Sequence, residues 1–214
     1  MAVITKWSNV AVAVQSALSA TVSISAITKA SPGVVTTGSA HGWSTGDYVL
    51  MAVQGMYQVN NRVFRISAAS GSTFTLEGED TTNYSTFSSG TAQKITFGTT
   101  LSTLVSINAS GGDFDFINTT TIHDNVKTQI PGLANPSTYS FESFWDPSDA
   151  GLVALKTASD SQAQRAILFT FANGQKFTFT GYVGCSLSPT GSAQDLIKTP
   201  VTLTALGGPK AYSS

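Results

Sequence analysis

The chain has 214 residues, with 11 Lys and Arg against 12 Asp and Glu, which gives a formal net charge of −1. Charged residues make up 11% of it, less than half the roughly 25% of an ordinary soluble domain, and Ser and Thr, roughly a quarter of the chain, replace them. This composition excludes a nucleic-acid binder held by counterion release and an intrinsically disordered chain. It also excludes a membrane-spanning helix, because no run of about 18 apolar residues occurs.

The abundant residue types are those of β-structure. Thr, Val, Phe and Gly are frequent, whereas Glu, Lys and Arg are few. Because charged side chains normally protect open sheet edges from association, a β-protein with so few of them is expected to be covered by copies of itself. Cys185 is the single cysteine, which excludes an internal disulfide and a cysteine-based metal cluster.

The beginning of the chain predicts a strand rather than a targeting segment. Residues 1–20 imitate a signal peptide only in part, because Gln15 and Ser16 interrupt the apolar run, so no cleavage is expected. Between residues 10 and 27 apolar residues alternate with small or polar ones, which is the period of a β-strand. The stretch from 15 to 20 could bend or break that strand.

Residues 27–97 predict a compact series of short strands joined by turns. Turn signals recur at 31–33, 60–61, 70–72 and 88–90. Strands at this spacing are typical of a small all-β module.

Longer elements follow this module. Strands are predicted at Leu101–Ile107, 139–145 and 195–206, and Pro200 indicates an edge or a bulge in the last of them. Residues 108–136 are loop-rich, and so long a loop inside a compact domain is expected to be functional or ordered only by a partner.

One helix is predicted after the strand at 139–145. Asp146 is expected to cap it, Pro147 suits its first turn, and Asp149 lies where the helix dipole favours negative charge. Apolar residues at helical spacing carry the helix to about Ser159.

The strongest local signal is a β-hairpin at residues 166–183, centred on an Asn-Gly turn. A two-residue loop would place Phe169 opposite Thr178, whereas a three-residue loop with Gly174 left-handed places Phe169 opposite Phe177. The second register collects the aromatic side chains on one face and is therefore preferred. The candidate hairpin core is then Ile167, Phe169, Phe171, Phe177 and Phe179.

No catalytic or metal-binding template fits the sequence. His41 and His123 are the only histidines, and they lack the partners and the spacing of metal ligands. Neither a nucleophile elbow nor a glycine-rich phosphate loop occurs, so neither an enzyme nor a cofactor is expected. Arg62 and Arg65, which flank Phe64, are expected to face solvent.

Two acids in the long loop have several interpretations. Asp113 and Asp115 lie two residues apart and would share one face of a strand. Paired-carboxylate hydrolysis needs acids from separate elements across a cleft, which argues against a catalytic pair. A solvated face and a charged contact with a neighbouring subunit are the other interpretations.

The order of elements in the second half resembles one protein family. The run Ser140-Phe-Glu-Ser-Phe-Trp-Asp-Pro147, the helix, the hairpin and the segment at 195–203 are together similar to the major tail tube proteins of long-tailed, non-contractile bacteriophages of the lambda type. The resemblance covers about residues 95–212.

This resemblance implies an all-β fold with one α-helix and two packed antiparallel sheets. Residues 1–26 and 98–214 would form that tube domain, and 27–97 would be a small inserted β-module on the tube exterior. Six subunits would form a ring in which the inner sheets join into one barrel, and stacked rings would form a hollow tube that conducts DNA to the host. The loop at 108–136 would contact the adjacent ring.

The resemblance also implies partners and a location. The partners would be copies of the chain, the tape measure, tail tip and tail terminator proteins, and double-stranded DNA that passes without sequence-specific binding; no membrane is involved. The protein would assemble in the host cytoplasm and reside in the virion tail. Candidate lumen or ring-contact residues are Asp113, Phe114, Asp115, Phe116 and Asp124.

A second interpretation is a carbohydrate- or cell-surface-binding β-module of a phage tail or a secreted protein. Trp43, Tyr48 and Tyr57, near the loop that holds His41, would supply an aromatic platform for it.

Overall fold

A computed structural model describes residues Trp7–Ser213, so the predictions for residues 1–6 lie outside the described residues. The described chain is mostly β-structure with one α-helix, α1 (Ala150–Asp160), and a 3-10 turn at Tyr57–Val59. In chain order the strands are β1 (Ala11–Val14), β2 (Ala17–Leu18), β3 (Val22–Ile27), β4 (Val34–Thr37), β5 (Tyr48–Gln54), β6 (Arg62–Ser70), β7 (Thr73–Leu76), β8 (Ser89–Thr96), β9 (Thr99–Thr100), β10 (Leu104–Ser110), β11 (Phe114–Asn118), β12 (Gln129–Ala134), β13 (Thr138–Phe144), β14 (Gln164–Thr170), β15 (Lys176–Cys185), β16 (Lys198–Ala205) and β17 (Lys210–Tyr212).

The larger sheet is open and antiparallel. Its strands follow the order β10-β13-β16-β15-β14-β1-β9, and β17 pairs with the first residues of β15. One face packs against α1 in a core that includes Val12, Phe141, Phe169 and Leu203. The sheet and the helix therefore share one core, and the predicted all-β fold with one α-helix is confirmed.

The second sheet closes on itself. It runs β2-β8-β3-β4-β7-β6-β5, and β5 pairs again with β8 over seven residue pairs, from Tyr48↔Ile95 to Gln54↔Ser89. Closure removes free strand edges. Its interior holds Met51, Phe64 and Phe74, all fully buried. We call this unit the barrel.

The alternation at residues 10–27 is three strands in two sheets rather than one strand. β1 pairs with β14 in the open sheet, whereas β2 and β3 pair with β8 in the barrel. The chain crosses between the sheets around Gln15, whose side-chain Oε1 accepts a hydrogen bond from the Ala166 N–H at 3.0 Å.

The barrel packs on the open sheet through a third apolar cluster. Tyr48 and Ile95 of the barrel contact Ala166 and Leu168 of β14, together with Tyr212 of β17. β17 also carries polar contacts to the barrel, since the Tyr212 hydroxyl accepts a 2.7 Å hydrogen bond from the Arg65 N–H. The two units are therefore joined both by apolar burial and by hydrogen bonds.

The helix exists where the sequence predicts it, but its cap is different. Asp149 is the N-cap, and its Oδ1 accepts the Leu152 N–H at 2.9 Å. The predicted cap, Asp146, instead accepts hydrogen bonds from the Ser148 N–H and hydroxyl in the turn before the helix. Asp149 is the cap because its Oδ1 accepts the N–H three residues later, which has no acceptor within the helix.

The sequence predicts an edge or a bulge at Pro200; β16 as a whole is an interior strand between β13 and β15, so the edge is confined to the start of the strand. The last pair between β15 and β16 is Cys185↔Val201, so Pro200 has a neighbouring strand only on the β13 side. A missing N–H is tolerated there because no ladder partner faces it.

Candidate assembly surfaces

The first surface consists of the two open edges of one half of the open sheet, at β10 and at the end of β15. β10 pairs with β13 and with no other strand of the described chain. At the other side, β14 pairs with β15 only as far as Tyr182, and β15 continues to Cys185 with β16 as its partner. Strands β10, β13 and β16 and the second half of β15 thus form a four-stranded half-sheet with an open edge on each side.

The second surface is the bare face of that half-sheet, on the side away from α1. Along β16, buried residues alternate with exposed ones, and Thr202 and Thr204 point outward. Ser140 of β13 is exposed on the same face, and the neighbouring charges, Glu142 and Lys198, pair with each other at 3.1 Å. This face is therefore mostly polar and nearly neutral, with Phe144 and Tyr182 as exposed aromatic side chains.

β15 shows where the bare face begins. Thr178 and Thr180 are buried on the side that the barrel covers, whereas Tyr182 and Gly184, further along the same face, are exposed. The barrel therefore covers one half of this face of the sheet and leaves the other half open.

The third surface is a projecting two-stranded ribbon, which we call the arm and define as residues 111–136. The sequence predicts a loop-rich segment here that is functional or ordered by a partner, but strands were not predicted: β11 pairs with β12, with Ile117 opposite Ile130 and Phe116 opposite Pro131. The irregular register between Phe114 and Phe116 obscured the alternation on which a strand prediction depends.

All five candidate lumen or ring-contact residues lie in or beside the arm, and all are exposed. Phe114, Asp115 and Phe116 belong to β11, and Asp113 directly precedes it. Asp124 lies in the distal turn, where hydrogen bonds from the Thr121 N–H and hydroxyl lower the pKa of its carboxyl. These acids therefore share one element and face no common cleft.

The fourth surface is an apolar cavity of about 260 Å³ at one end of the open sheet. Its lining includes Trp7, Phe171 and Phe177, and the Trp7 ring lies edge-on to Phe171 with centroids 5.5 Å apart. Trp7 is itself strongly exposed. The cavity therefore opens to solvent through aromatic side chains.

The hairpin residues lie beside this cavity, in the register that the sequence favours. Phe169 is opposite Phe177 and Ile167 is opposite Phe179, and Gly174 is left-handed with a φ of 83°. Ile167, Phe169 and Phe179 are fully buried, whereas Phe171 and Phe177 are partly buried at the core margin.

The prediction that Arg62 and Arg65 face solvent is wrong. Arg62 donates to Glu79 at 2.6 Å and Arg65 donates to Glu77, and each arginine side chain is only about one-sixth exposed, at 15% and 16%. Glu79 also accepts from Lys210 of β17. Sequence reasoning missed this cluster because its members are far apart along the chain.

The aromatic platform of the alternative interpretation is not assembled. Tyr48 is buried against the open sheet, and Trp43 packs on His41 and Phe74, whereas Tyr57 is exposed. Within residues 7–213 no group of three or more His, Cys, Asp and Glu is arranged to hold a metal ion. In the same range no helix has the length and apolar character needed to cross a bilayer.

An open sheet with two free edges and a projecting apolar arm defines a subunit of a larger assembly. A family model described as "Phage tail tube protein, TTP" matches residues 54–214, which is more than half of the chain. The chain therefore belongs to the phage tail tube protein family, and it is a structural component of the phage tail. No curated protein was found that matches the chain.

Proposed function

We propose that the chain is the major tail tube subunit of a long-tailed, non-contractile phage, and that it polymerises as stacked hexameric rings around a DNA channel. The observation that carries this proposal is the half-sheet with an open edge on each side, β10 and the end of β15. Pairing β10 of one copy with β15 of the next would repeat the same contact around a ring, and closure would cover both open edges of the half-sheet.

The position of the barrel supports an orientation for the ring. The open sheet curves around its core, because Phe141 of β13 packs on Phe169 of β14 with ring centroids 5.9 Å apart although two strands lie between them, so the half that carries the barrel and the bare polar half face different directions. With residues 27–97 on the exterior, the bare half would line the channel. A nearly neutral Ser/Thr surface suits a DNA channel, because each added Lys or Arg would hold phosphate and slow passage.

The arm supports stacking. A five-residue strand such as β11 extends about 17 Å, and the turn between the strands adds to that reach. The arm is therefore long enough to leave its own ring and contact the next one. Tape measure, tail tip and terminator proteins would then bound the tube, which is assembled in the host cytoplasm and carried in the virion.

Electron microscopy of the concentrated protein tests the proposal directly. The expected result is six-fold rings or tubes with a central channel. A protein that stays monomeric at every concentration, without tubes in negative stain, would refute it.

Thiol labelling tests which face lines the channel. In a Cys185→Ser background, Thr202→Cys is expected to react with a 5 kDa polyethylene-glycol maleimide in free subunits and to be strongly slowed in tubes. Tyr57→Cys, an exposed site on the barrel, is the matched control and should react equally in both forms. Equal labelling of Thr202→Cys in both forms would contradict the assigned orientation.

A further inference from the structure

The open edge at the end of β15 presents backbone groups that a further strand could bond. The Leu206 N–H donates to the Thr180 carbonyl at 3.1 Å, so the peptide groups of Thr180 point towards β16. This direction alternates along an antiparallel strand, and the groups of Val183 and Cys185 therefore point away from β16, to the open side. An incoming strand has to form its hydrogen bonds with these groups.

One of these backbone groups already has a partner within the subunit. The Cys185 N–H donates to the side-chain oxygen of Ser159 at 3.1 Å. Ser159 belongs to the last turn of α1, whose fully buried side chains, among them Leu155 and Ala158, are apolar. The helix therefore places one hydroxyl group on the donor that a new strand needs.

Neither open edge is protected by charged residues of its own strand. Residues 104–110 of β10 are all uncharged, and so are residues 181–185 at the end of β15. Lysine side chains are a common protection of edge strands, and β-bulges are another. β10 has a register shift of that kind between Leu104 and Ser106, whereas β15 pairs with β16 without one. The edge of β15 therefore depends on a different protection.

The surroundings of Cys185 leave room for a strand. A groove of about 540 Å³ lies between the end of α1 and the strands β15 and β16, and its wall includes Ser159, Cys185 and Thr202. The charged residues of this wall, Lys156 and Asp160, pair with each other. An uncharged strand such as β10 can therefore enter the groove without leaving a charge unpaired.

We propose that the hydrogen bond between Ser159 and Cys185 is an autoinhibitory contact, which keeps the free subunit from adding a strand at β15. The strand that displaces it is β10 of a second copy, so this inference rests on the proposed tube function and adds a regulation to it. On assembly the Ser159 side chain releases the Cys185 N–H, which then donates to a carbonyl group of the incoming strand. Because one hydrogen bond replaces another, this exchange alone gains little, and a subunit joins only where further contacts form at the same time.

Removal of the hydroxyl group tests the inference. Ser159→Ala takes the partner of the Cys185 N–H away from the free subunit, whereas the tube is unaffected, because there the N–H bonds to the incoming strand. The net contribution of one hydrogen bond corresponds to a roughly two- to tenfold change in an equilibrium constant, so the critical concentration for tube formation is expected to fall about fivefold. Sedimentation of tubes from a concentration series measures it.

Ser161→Ala is the matched control. The Ser161 hydroxyl lies at the same end of the helix, but it donates to the carbonyl groups of Thr157 and Ala158 within the helix. The critical concentration of this variant should therefore equal that of the unmodified protein. If Ser159→Ala also leaves it unchanged, the bond only ties α1 to the sheet, and the inference is wrong.

Hydrogen–deuterium exchange at the Cys185 amide separates this inference from the function on which it rests. In free subunits the exchange is expected to be roughly tenfold faster in Ser159→Ala than in Ser161→Ala, and in tubes it should be equally slow in both. Equal exchange in the free forms of the two variants would overturn the inference alone. Fast exchange of Cys185 in tubes, or failure of the unmodified protein to form tubes, would overturn the proposed ring contact together with the inference.

Discussion

Glu79 joins the barrel to β17, and its removal should weaken the whole subunit. The carboxylate side chain is 5% exposed and accepts hydrogen bonds from Arg62, Lys210 and the Tyr84 hydroxyl. Glu79→Ala would leave two mostly buried cations without a carboxylate partner, with only backbone carbonyl groups as acceptors. The side chains of Arg62 and Lys210 retain 15% and 17% exposure, so some water reaches them.

The expected cost follows from that geometry. Breaking a fully buried ion pair costs about 3–5 kcal/mol, and partial access to water lowers this to about 2–3 kcal/mol here. For a chain of this length, that corresponds to a fall in melting temperature of roughly 5–10 °C. Thermal unfolding followed by circular dichroism measures it, and protease cleavage near Lys210 should become faster because β17 loses its anchor.

A matched control shows whether the effect is specific to the buried cluster. Asp160→Ala removes the acid of the surface ion pair Lys156–Asp160, in which the aspartate side chain is 63% exposed. Such a pair on a helix surface contributes about 0.3–0.5 kcal/mol, so the melting temperature should hardly change. If Glu79→Ala melts within about 2 °C of the unmodified protein, the reasoning about the cluster is refuted.

Three further outcomes are expected. Asp149→Ala removes the N-cap bond to Leu152 and the bonds from Ser102, and should cost about 1–2 kcal/mol, or roughly 2–8 °C in melting temperature, with Asp149→Asn milder; equal melting of the two would contradict the capping role. Burial alone would raise the pKa of Glu79, but hydrogen bonds from Lys210 and Tyr84 and the charge of Arg62 lower it overall. Its contribution to stability is therefore complete above the ordinary glutamate value of about 4.3 and is lost as the pH falls through the lower folded value, so Glu79→Gln should flatten the acid limb of a stability–pH curve. Thr202→Lys adds a cation to the proposed channel face and should slow DNA ejection in a salt-dependent manner; ejection that is unaffected at low salt would argue against that face.

Local chemistry made part of the fold predictable. The hairpin register depends on Gly174 and on the spacing of Phe169 and Phe177, which are near one another in sequence. The existence of α1 likewise follows from Asp149 and from apolar residues at helical spacing. Each of these elements is specified within about 20 residues, where turn chemistry and periodicity act directly.

The features that define the candidate surfaces were less accessible from sequence. Glu79 meets Lys210 only because the barrel docks on the open sheet, so no local pattern placed Arg62 in an ion pair. The arm was missed because Gly132, Pro131 and the register shift at β11 break the period of two. The lost N–H of Pro200 indicated an edge correctly at that position, but it could not show that the rest of β16 has a neighbour on both sides.

The contact between β17 and the barrel imposes an order of events during synthesis. All barrel strands lie between Ala17 and Thr96, whereas Lys210–Tyr212 leave the ribosome more than a hundred residues later. At about 5–20 residues per second, this gap is roughly 6–23 s. The closed barrel can fold in that interval, but it gains its full attachment to the open sheet only when β17 has been made. A nascent chain is therefore expected to hold a folded but incompletely docked barrel, and chains shortened before residue 207 are expected to stay in that state.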